Sequence, residues 1–262
     1  MRKFVHLYGI SPVQQCLSHN NRECKVLYIK DTKTSPRLKK IAQSAQNRHI
    51  PVKRVDTHQL GIMAGTKLHQ GVVLVCSERN VVSLREFLES SAILPQKLLV
   101  ALDQLEDPQN IGSIIRTAAF LGADGLITLG KKAAPLSPAV SKASAGALEY
   151  FPIVRVPNLS ECLVNLRKEA FSIVGTGSDD SMDYRETPIT DYMVLVLGNE
   201  GQGLRRLTRN RCDYIVHIPG SQTTDSLNVG AAGAILMQHF IQQMASSPKH
   251  KGPNDIYKFQ GV

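Results

Sequence analysis

Three polar, glycine-containing segments in the second half of the chain each follow an apolar run, and their side chains could bind a ligand. They comprise residues 107–118, 194–204 and 218–232. In sheets of parallel strands, ligands bind in the crevice beyond the carboxyl ends of the strands. Glycine at such a position lets the backbone approach a ligand closely. The three segments therefore predict one composite site that offers amide, hydroxyl, carboxylate and guanidinium groups.

The first segment combines a helix start with an arginine. Asp107 can cap a helix that Pro108 opens, which places Asn110 in the first turn and Arg116 more than one and a half turns later. Apolar residues flank Arg116 along this helix, and an unpaired buried guanidinium is costly. The pattern predicts that Arg116 is either paired or functional; the alternative is an arginine that reaches solvent from the helix edge.

The other two segments place glycine or small residues directly after apolar runs. Gly198 and Gly203 bound a turn that fits neither the dinucleotide fingerprint nor a Walker loop, because its glycine spacing differs and no Gly-Lys-Ser/Thr occurs. In the third segment Asp225 or Ser226 can cap a helix, and residues 230–234 are all glycine or alanine. A helix with such a smooth surface predicts a closely packed neighbour.

A frame of alternating strands and helices must position these segments. Such alternation predicts a parallel α/β sheet covered on both faces. The predicted strands are 98–102, 124–128, 152–156, 171–175, 193–197 and 214–218; the predicted helices are 111–121, 159–170, 203–209 and 226–244; residues 130–150 are predicted to be irregular.

The first third of the chain predicts a smaller α/β unit. Strand-like runs occur at 25–30, 50–55 and 71–76, separated by a helix that Pro36 opens and a short helix capped by Thr57, which gives the order β-α-β-α-β. The predicted division of the chain is residues 1–76 for this unit, 77–96 for a linker, 97–245 for the second domain and 246–262 for a flexible tail.

The two predicted domains differ in charge. Residues 1–76 contain 13 lysines and arginines against three acidic residues, a net charge of +10, whereas residues 97–245 carry a net charge of −2. Concentrated positive charge raises affinity for RNA, because each neutralised phosphate releases counterions. A basic surface that serves only solubility is the alternative. The charge pattern favours a nucleic acid bound by the first domain.

Composition excludes several other classes of protein. No apolar run approaches the ~20 residues that span a bilayer, and the N-terminus shows no signal or transit peptide. The five cysteines are widely spaced and form no Cys-x-x-Cys pair, so neither a zinc site nor a disulfide framework is predicted. We expect a cytoplasmic protein without a metal cofactor.

Together, the three segments resemble in order and spacing the three motifs of the SpoU/TrmH family of RNA ribose 2′-O-methyltransferases, within the SPOUT superfamily. Residues 141–147, 69–72 and 8–13 also resemble segments of this family, and the likeness spans about residues 5–244. Gly230 stands where the family often has serine, and the C-terminal tail has no counterpart in it.

The resemblance implies a fold, a cofactor and a reaction. The second domain is expected to contain a deep trefoil knot, to bind S-adenosylmethionine largely through backbone groups, and to form a homodimer with the site at the interface. The methyl group would be transferred to a ribose 2′-hydroxyl of RNA. The residues that match the family's cofactor-binding positions are Leu197, Gly198, Ile218 and Leu227. Those that match its catalytic cluster are Asn110, Arg116, Glu200, Ser226 and Asn228.

Arg116 is central to the implied chemistry. A guanidinium has a pKa above ~12 and is a poor base. We therefore expect Arg116 to hold the adjacent phosphate and to stabilise the developing alkoxide. Asn110, Ser226 and Asn228 would orient Arg116 and the substrate, and Glu200 would pair with a positive group.

The RNA target has alternatives. The resemblance is strongest to the bacterial branch that methylates a guanosine of 23S ribosomal RNA. Transfer RNA is the second candidate, although family members that act on it often lack a separate basic N-terminal domain. The third is a non-catalytic rRNA-binding or ribosome-assembly protein on the same fold, which would have no reason to keep the five matching catalytic residues together.

Overall fold

The first part of the chain folds into a four-stranded mixed sheet with helices on both faces. The computed structural model describes residues 3–32, 35–90, 95–130, 136–178, 181–199, 201–221 and 226–246. The elements of this N-terminal unit are β1 (Phe4–Tyr8), α1 (Ile10–His19), β2 (Cys24–Lys30), α2 (Pro36–Asn47), β3 (Val52–Val55), α3 (Thr57–Ala64) and β4 (Val72–Ser77). The strand order is β1-β4-β2-β3. Helices α1 and α2 cover one face, and α3 covers the other.

The N-terminal unit contains a strand and a helix that the sequence analysis missed, β1 and α1. Strand β1 does not alternate regularly between buried and exposed residues. Helix α1 follows Gly9, which provides no side-chain cap, and it contains Pro12 in its first turn. Strand β1 therefore gives no clear period-2 pattern, and α1 lacks the capping residue that usually indicates the start of a helix. The cap of α3 is Asp56, whose Oδ1 accepts a hydrogen bond from the Gln59 backbone N–H, rather than Thr57.

The second part forms a seven-stranded sheet in which each described pair of neighbouring strands is parallel. Its strands are β5 (Lys97–Leu102), β6 (Gly125–Leu129), β7 (Ile153–Val156), β8 (Ser172–Thr176), β9 (Met182–Asp183), β10 (Tyr192–Leu197) and β11 (Tyr214–His217). The order is β7-β6-β5-β10-β8-β11-β9. The predicted parallel α/β architecture of this C-terminal unit is confirmed.

Helices cover both faces of the second sheet. They are α4 (Leu84–Ser90), α5 (Pro108–Leu121), α6 (Pro138–Ala143), α7 (Leu159–Lys168), α8 (Arg206–Arg209) and α9 (Val229–Ser246). Leu98 and Val100 of β5 pack with α5 and α9, whereas Leu99 and Ala101 pack with α7 and with Phe87 of α4. Strand β5 is therefore apolar throughout because both of its faces are covered.

Several bounds in the C-terminal unit differ from the sequence prediction. Helix α8 spans only Arg206–Arg209, where residues 203–209 were predicted, and β9 was not predicted. Residues 130–150 are not irregular throughout, because Ser137 caps α6 and a 3-10 turn follows at Ala147–Glu149. Helix α9 begins at Val229 rather than at residue 226. Short helices give little apolar periodicity, which explains why α6 was missed.

Candidate active site

The segment after β5 and the segment after β10 are hydrogen-bonded to each other. The Asp103 backbone N–H donates to the Leu197 carbonyl at 2.9 Å, and the Asn199 side-chain amide donates to the Gln104 carbonyl at 3.2 Å. The Asp103 carboxylate is fully buried and accepts from the backbone N–H and Nε of Arg205, at 2.9 Å and 2.7 Å. These bonds fix the glycine turn against the carboxyl end of β5.

The glycine turn requires its glycines. The backbones of Asn199 and Gly203 exchange two hydrogen bonds, at 3.0 Å and 2.9 Å. A Cβ on Gly198 would lie 2.5 Å from the Gly203 carbonyl carbon, which is closer than real contacts allow, and Gly203 has a positive φ of 64°. Larger residues would therefore open the turn.

Asn228 joins the third segment to the first. Its Nδ2 donates to Asn110 Oδ1 at 2.9 Å, and its own Oδ1 accepts from the backbone N–H groups of Gly230 and Ala231 at 3.0 Å and 3.3 Å. Asn228 thus caps α9 and orients Asn110 at the same time. The structure brings together two of the five predicted catalytic residues by a direct bond.

The small residues of α9 allow the close packing that the sequence predicts. A Cβ on Gly230 would lie 3.2 Å from Ser113 Oγ of α5, and one on Gly233 would lie 2.9 Å from Leu197 Cδ1. Gly230 therefore places α9 against the helix that carries Asn110. In this way α9 holds together the ends of all three segments.

Arg116 lies apart from this cluster. Its side chain is exposed, and it makes no hydrogen bond or ion pair with any other residue that the structure describes. It lines an open groove of about 590 Å³ together with Phe120, Tyr150 and Gln238. This position fits the alternative of an arginine that reaches solvent from the helix edge, because the buried residues of α5 face the sheet while Arg116 faces outward. A functional role for Arg116 stays a prediction.

The remaining predicted residues lie at the same edge of the sheet with different exposures. Leu197 is fully buried and Gly198 is buried, so neither presents a side chain to a ligand. Ile218 is half-buried, and Leu227 is 49% exposed. Ser226 is exposed and has no described contact to Arg116. Glu200 lies outside the described residues.

Asp103 is the main contributor to this edge that sequence reasoning missed. It is the first polar residue after the apolar strand β5, which is a usable signal, because side chains at strand ends face the ligand crevice. Thr176 was also missed; its hydroxyl lies 3.4 Å from the Gly198 backbone N–H at the end of β8.

Cys162 and Cys212 are poorly suited to act as nucleophiles. Burial raises the pKa of Cys162 and of Cys212 to about 12, so both thiols stay protonated near neutral pH and are poor nucleophiles. Within the described ranges, no group of three or more His, Cys, Asp or Glu side chains could hold a metal ion. No helix in that part of the chain is both long and apolar enough to cross a membrane.

The two units match two family models. The model of the SpoU rRNA methylase family matches residues 97–238, and the model described as RNA 2′-O ribose methyltransferase substrate binding matches residues 6–82. The chain belongs to the SpoU rRNA methylase family.

Individual relatives share both units. The 23S rRNA (guanosine-2′-O-)-methyltransferase RlmB of Pseudomonas putida is 32% identical over 246 residues, which cover 93% of this chain and 98% of the relative. RlmB of Neisseria meningitidis is 35% identical, with coverage of 93% and 97%. Among solved structures, the SpoU methyltransferase AviRb from Streptomyces viridochromogenes, in complex with AdoMet, superposes with a TM-score of 0.77 at 28% identity, and the match covers 93% of this chain and 92% of AviRb.

Proposed function

We propose that this protein transfers a methyl group from S-adenosylmethionine to a ribose 2′-hydroxyl of RNA, and that its target is a guanosine of 23S ribosomal RNA. The observation that carries the proposal is the Asn228–Asn110 hydrogen bond, which joins the third segment to the start of α5 at the carboxyl edge of the sheet. The two relatives named for this reaction align with 93% of the chain, including the basic N-terminal unit.

The residues at this edge suit S-adenosylmethionine. Leu197 and Gly198 offer backbone groups at the end of β10, while Ile218 and Leu227 keep accessible apolar surface that can pack against a flat base. We propose these four residues as the cofactor site. The cofactor supplies the methyl group as an electrophile.

Arg116 is proposed to stabilise charge rather than to remove a proton. Its guanidinium faces an open groove, so it is available to hold an RNA phosphate and to stabilise the oxygen that develops negative charge. The hydrogen-bonded amides of Asn110 and Asn228 present fixed polar groups at the carboxyl edge of the sheet. We also propose that Ser226 orients the substrate and that Glu200 pairs with a positive group.

A homodimer is part of the proposal. Phe120 is 80% exposed beside the groove that Arg116 lines, and Ile235 of α9 is 38% exposed. We propose that these exposed apolar side chains are buried in the homodimer. The trefoil knot, the division at residues 76, 96 and 245, and a cytoplasmic location stay predictions.

The direct test is methyl transfer to 23S rRNA by the purified protein and by Arg116→Lys. Lysine keeps the charge but lacks the planar fork, so turnover is expected to fall by about 100-fold or more, with cofactor binding unchanged in calorimetry. Near wild-type turnover by Arg116→Lys would contradict the assigned role.

A map of ribose methylation in cells with and without the gene separates the alternatives. A methyl group lost from one guanosine of 23S rRNA is expected. Loss from a transfer RNA would move the substrate to that class. An unchanged map would favour a non-catalytic RNA-binding protein.

A further inference from the structure

A buried ion pair joins the two units of the chain. Arg22, in the loop between α1 and β2, donates from Nε to Glu149 Oε2 at 2.7 Å and from Nη2 to Glu149 Oε1 at 2.9 Å. Glu149 ends the 3-10 turn after α6, 127 residues further along the chain. The two side chains are 2% and 0% exposed. Paired bonds between two planar groups fix their relative orientation as well as their distance.

Neighbouring groups use the remaining hydrogen-bonding capacity of this pair. Arg22 Nη1 donates to the Ser77 carbonyl at 3.1 Å, and the Ser141 hydroxyl donates to Glu149 Oε1 at 2.7 Å. Burial disfavours the charged guanidinium, but neighbouring groups, Glu149 first among them, together outweigh this effect and raise the pKa of Arg22. A buried pair of this kind often adds little net stability compared with apolar packing, so stability alone does not account for it.

Further contacts close around the same turn from the N-terminal unit. The Asn21 side-chain amide donates to the Glu149 carbonyl at 3.1 Å. Arg79, which follows β4, donates to the carbonyls of Leu148 and Phe151 at 2.8 Å and 3.2 Å. Residues just before β2 and just after β4 thus hold one short turn of the C-terminal unit.

The segment that contains Glu149 also packs directly on α5. At the closest point a Cβ on Gly112 would lie 2.3 Å from the Ala143 Cβ and 2.8 Å from the Ser144 nitrogen, so only glycine permits this approach. Helix α5 also carries Arg116, about one turn further along. Residues 138–149 therefore connect the N-terminal unit to the proposed catalytic helix through close packing at both ends.

We propose that the Arg22–Glu149 pair is a positioning device that holds the basic N-terminal unit in one orientation relative to Arg116. The proposal rests on the proposed function, since it concerns how a structured RNA reaches the methylation site. Both side chains are buried and touch no substrate, so they act through the placement of the two units. Recognition of a folded RNA depends on this pair, and cofactor binding does not.

The first test compares Glu149→Gln with Glu89→Gln. Glu149→Gln keeps the shape of the side chain but removes its charge, so Arg22 loses its ionic partner. The expected result is a rise of about tenfold or more in KM for 23S rRNA, unchanged cofactor affinity, and a larger radius of gyration in X-ray scattering. Glu89→Gln removes the exposed Arg85–Glu89 pair within α4, and we expect it to change none of these quantities.

The double variant Arg22→Met/Glu149→Met separates orientation from stability. Apolar side chains often replace a buried ion pair without loss of stability. The Tm of the double variant is therefore expected to lie closer to the wild-type value than the Tm of Glu149→Gln, while its KM for RNA stays raised. The proposal is overturned if the double variant restores KM together with Tm, or if Glu149→Gln keeps the wild-type KM and radius of gyration. A wild-type protein that does not methylate RNA would contradict the proposed function instead, and the scattering comparison would still test the orientation.

Discussion

At the scale of single residues, Asn228 has two separable tasks. Its Oδ1 caps α9, and its Nδ2 donates to Asn110. Asn228→Asp keeps an acceptor for the cap but cannot donate to Asn110. We expect it to retain the wild-type free energy of unfolding in urea and to lose methyl transfer. Asn228→Ala is expected to lose activity and also about 1 kcal/mol of stability. Equal decreases in stability for the two variants would contradict this division of tasks.

The sequence predicted which residues form the site more accurately than it predicted their exposure and their partners. Asn110 and Asn228 were predicted to share a site, and they are hydrogen-bonded. The exposure of Arg116 could not be decided from the sequence, because a run of apolar neighbours does not reveal which side of a helix faces the sheet. The pairing of Asp103 with Arg205 could not be predicted, because the two residues lie 102 positions apart in sequence. Long-range pairs of this kind leave no local pattern.

At the scale of elements, the contact between α5 and α6 depends on Gly112. Alanine would ordinarily stabilise a helix interior by about 0.5–1 kcal/mol relative to glycine. Here its Cβ would meet backbone and Cβ atoms of α6 and the residue after it at less than 3 Å, and overpacking of this kind costs about 1–3 kcal/mol. Gly112→Ala is therefore expected to destabilise the protein in urea unfolding.

Gly61→Ala is the matched control for Gly112→Ala. Gly61 lies inside α3, and its added Cβ would have only the Thr66 carbonyl oxygen nearby, at 4.0 Å. We expect this variant to be neutral or slightly stabilising. If both variants increased stability, helix propensity would outweigh the α5–α6 contact and the prediction would be wrong.

The elements that could be predicted from sequence are those with strong apolar runs. The central strands β5 and β10 were found within one residue of their observed bounds, because both faces are buried and nearly every position is apolar. Helix α6 has only six residues, too few for periodicity to show. The interface that α6 and Glu149 form with the N-terminal unit could not be predicted, since it joins surfaces that are distant in sequence.

At the scale of the whole molecule, the asymmetry of charge predicts where RNA is held. Lys53 and Lys67 are exposed in the N-terminal unit. Changing each to glutamine should weaken RNA binding and reduce the slope of log K against log salt concentration by about 0.7–0.9 for each phosphate that is no longer neutralised. Lys168→Gln removes the same charge from an exposed position on α7 and is expected to change the slope less. Equal effects from all three would place the RNA contact on both units.

The exposed apolar surface beside Arg116 predicts how two copies meet. Phe120 would be buried between subunits of the proposed homodimer, so Phe120→Glu would place a charge in a desolvated contact. Light scattering is expected to give the mass of one 28.8 kDa chain for this variant and twice that mass for the wild type. The variant is also expected to lose methyl transfer. Leu207→Glu alters an equally apolar side chain, 62% exposed on α8, and should leave the dimer intact. A wild type that is monomeric and active would show that Arg116 needs no second copy, and the exposure of Phe120 would then require another partner.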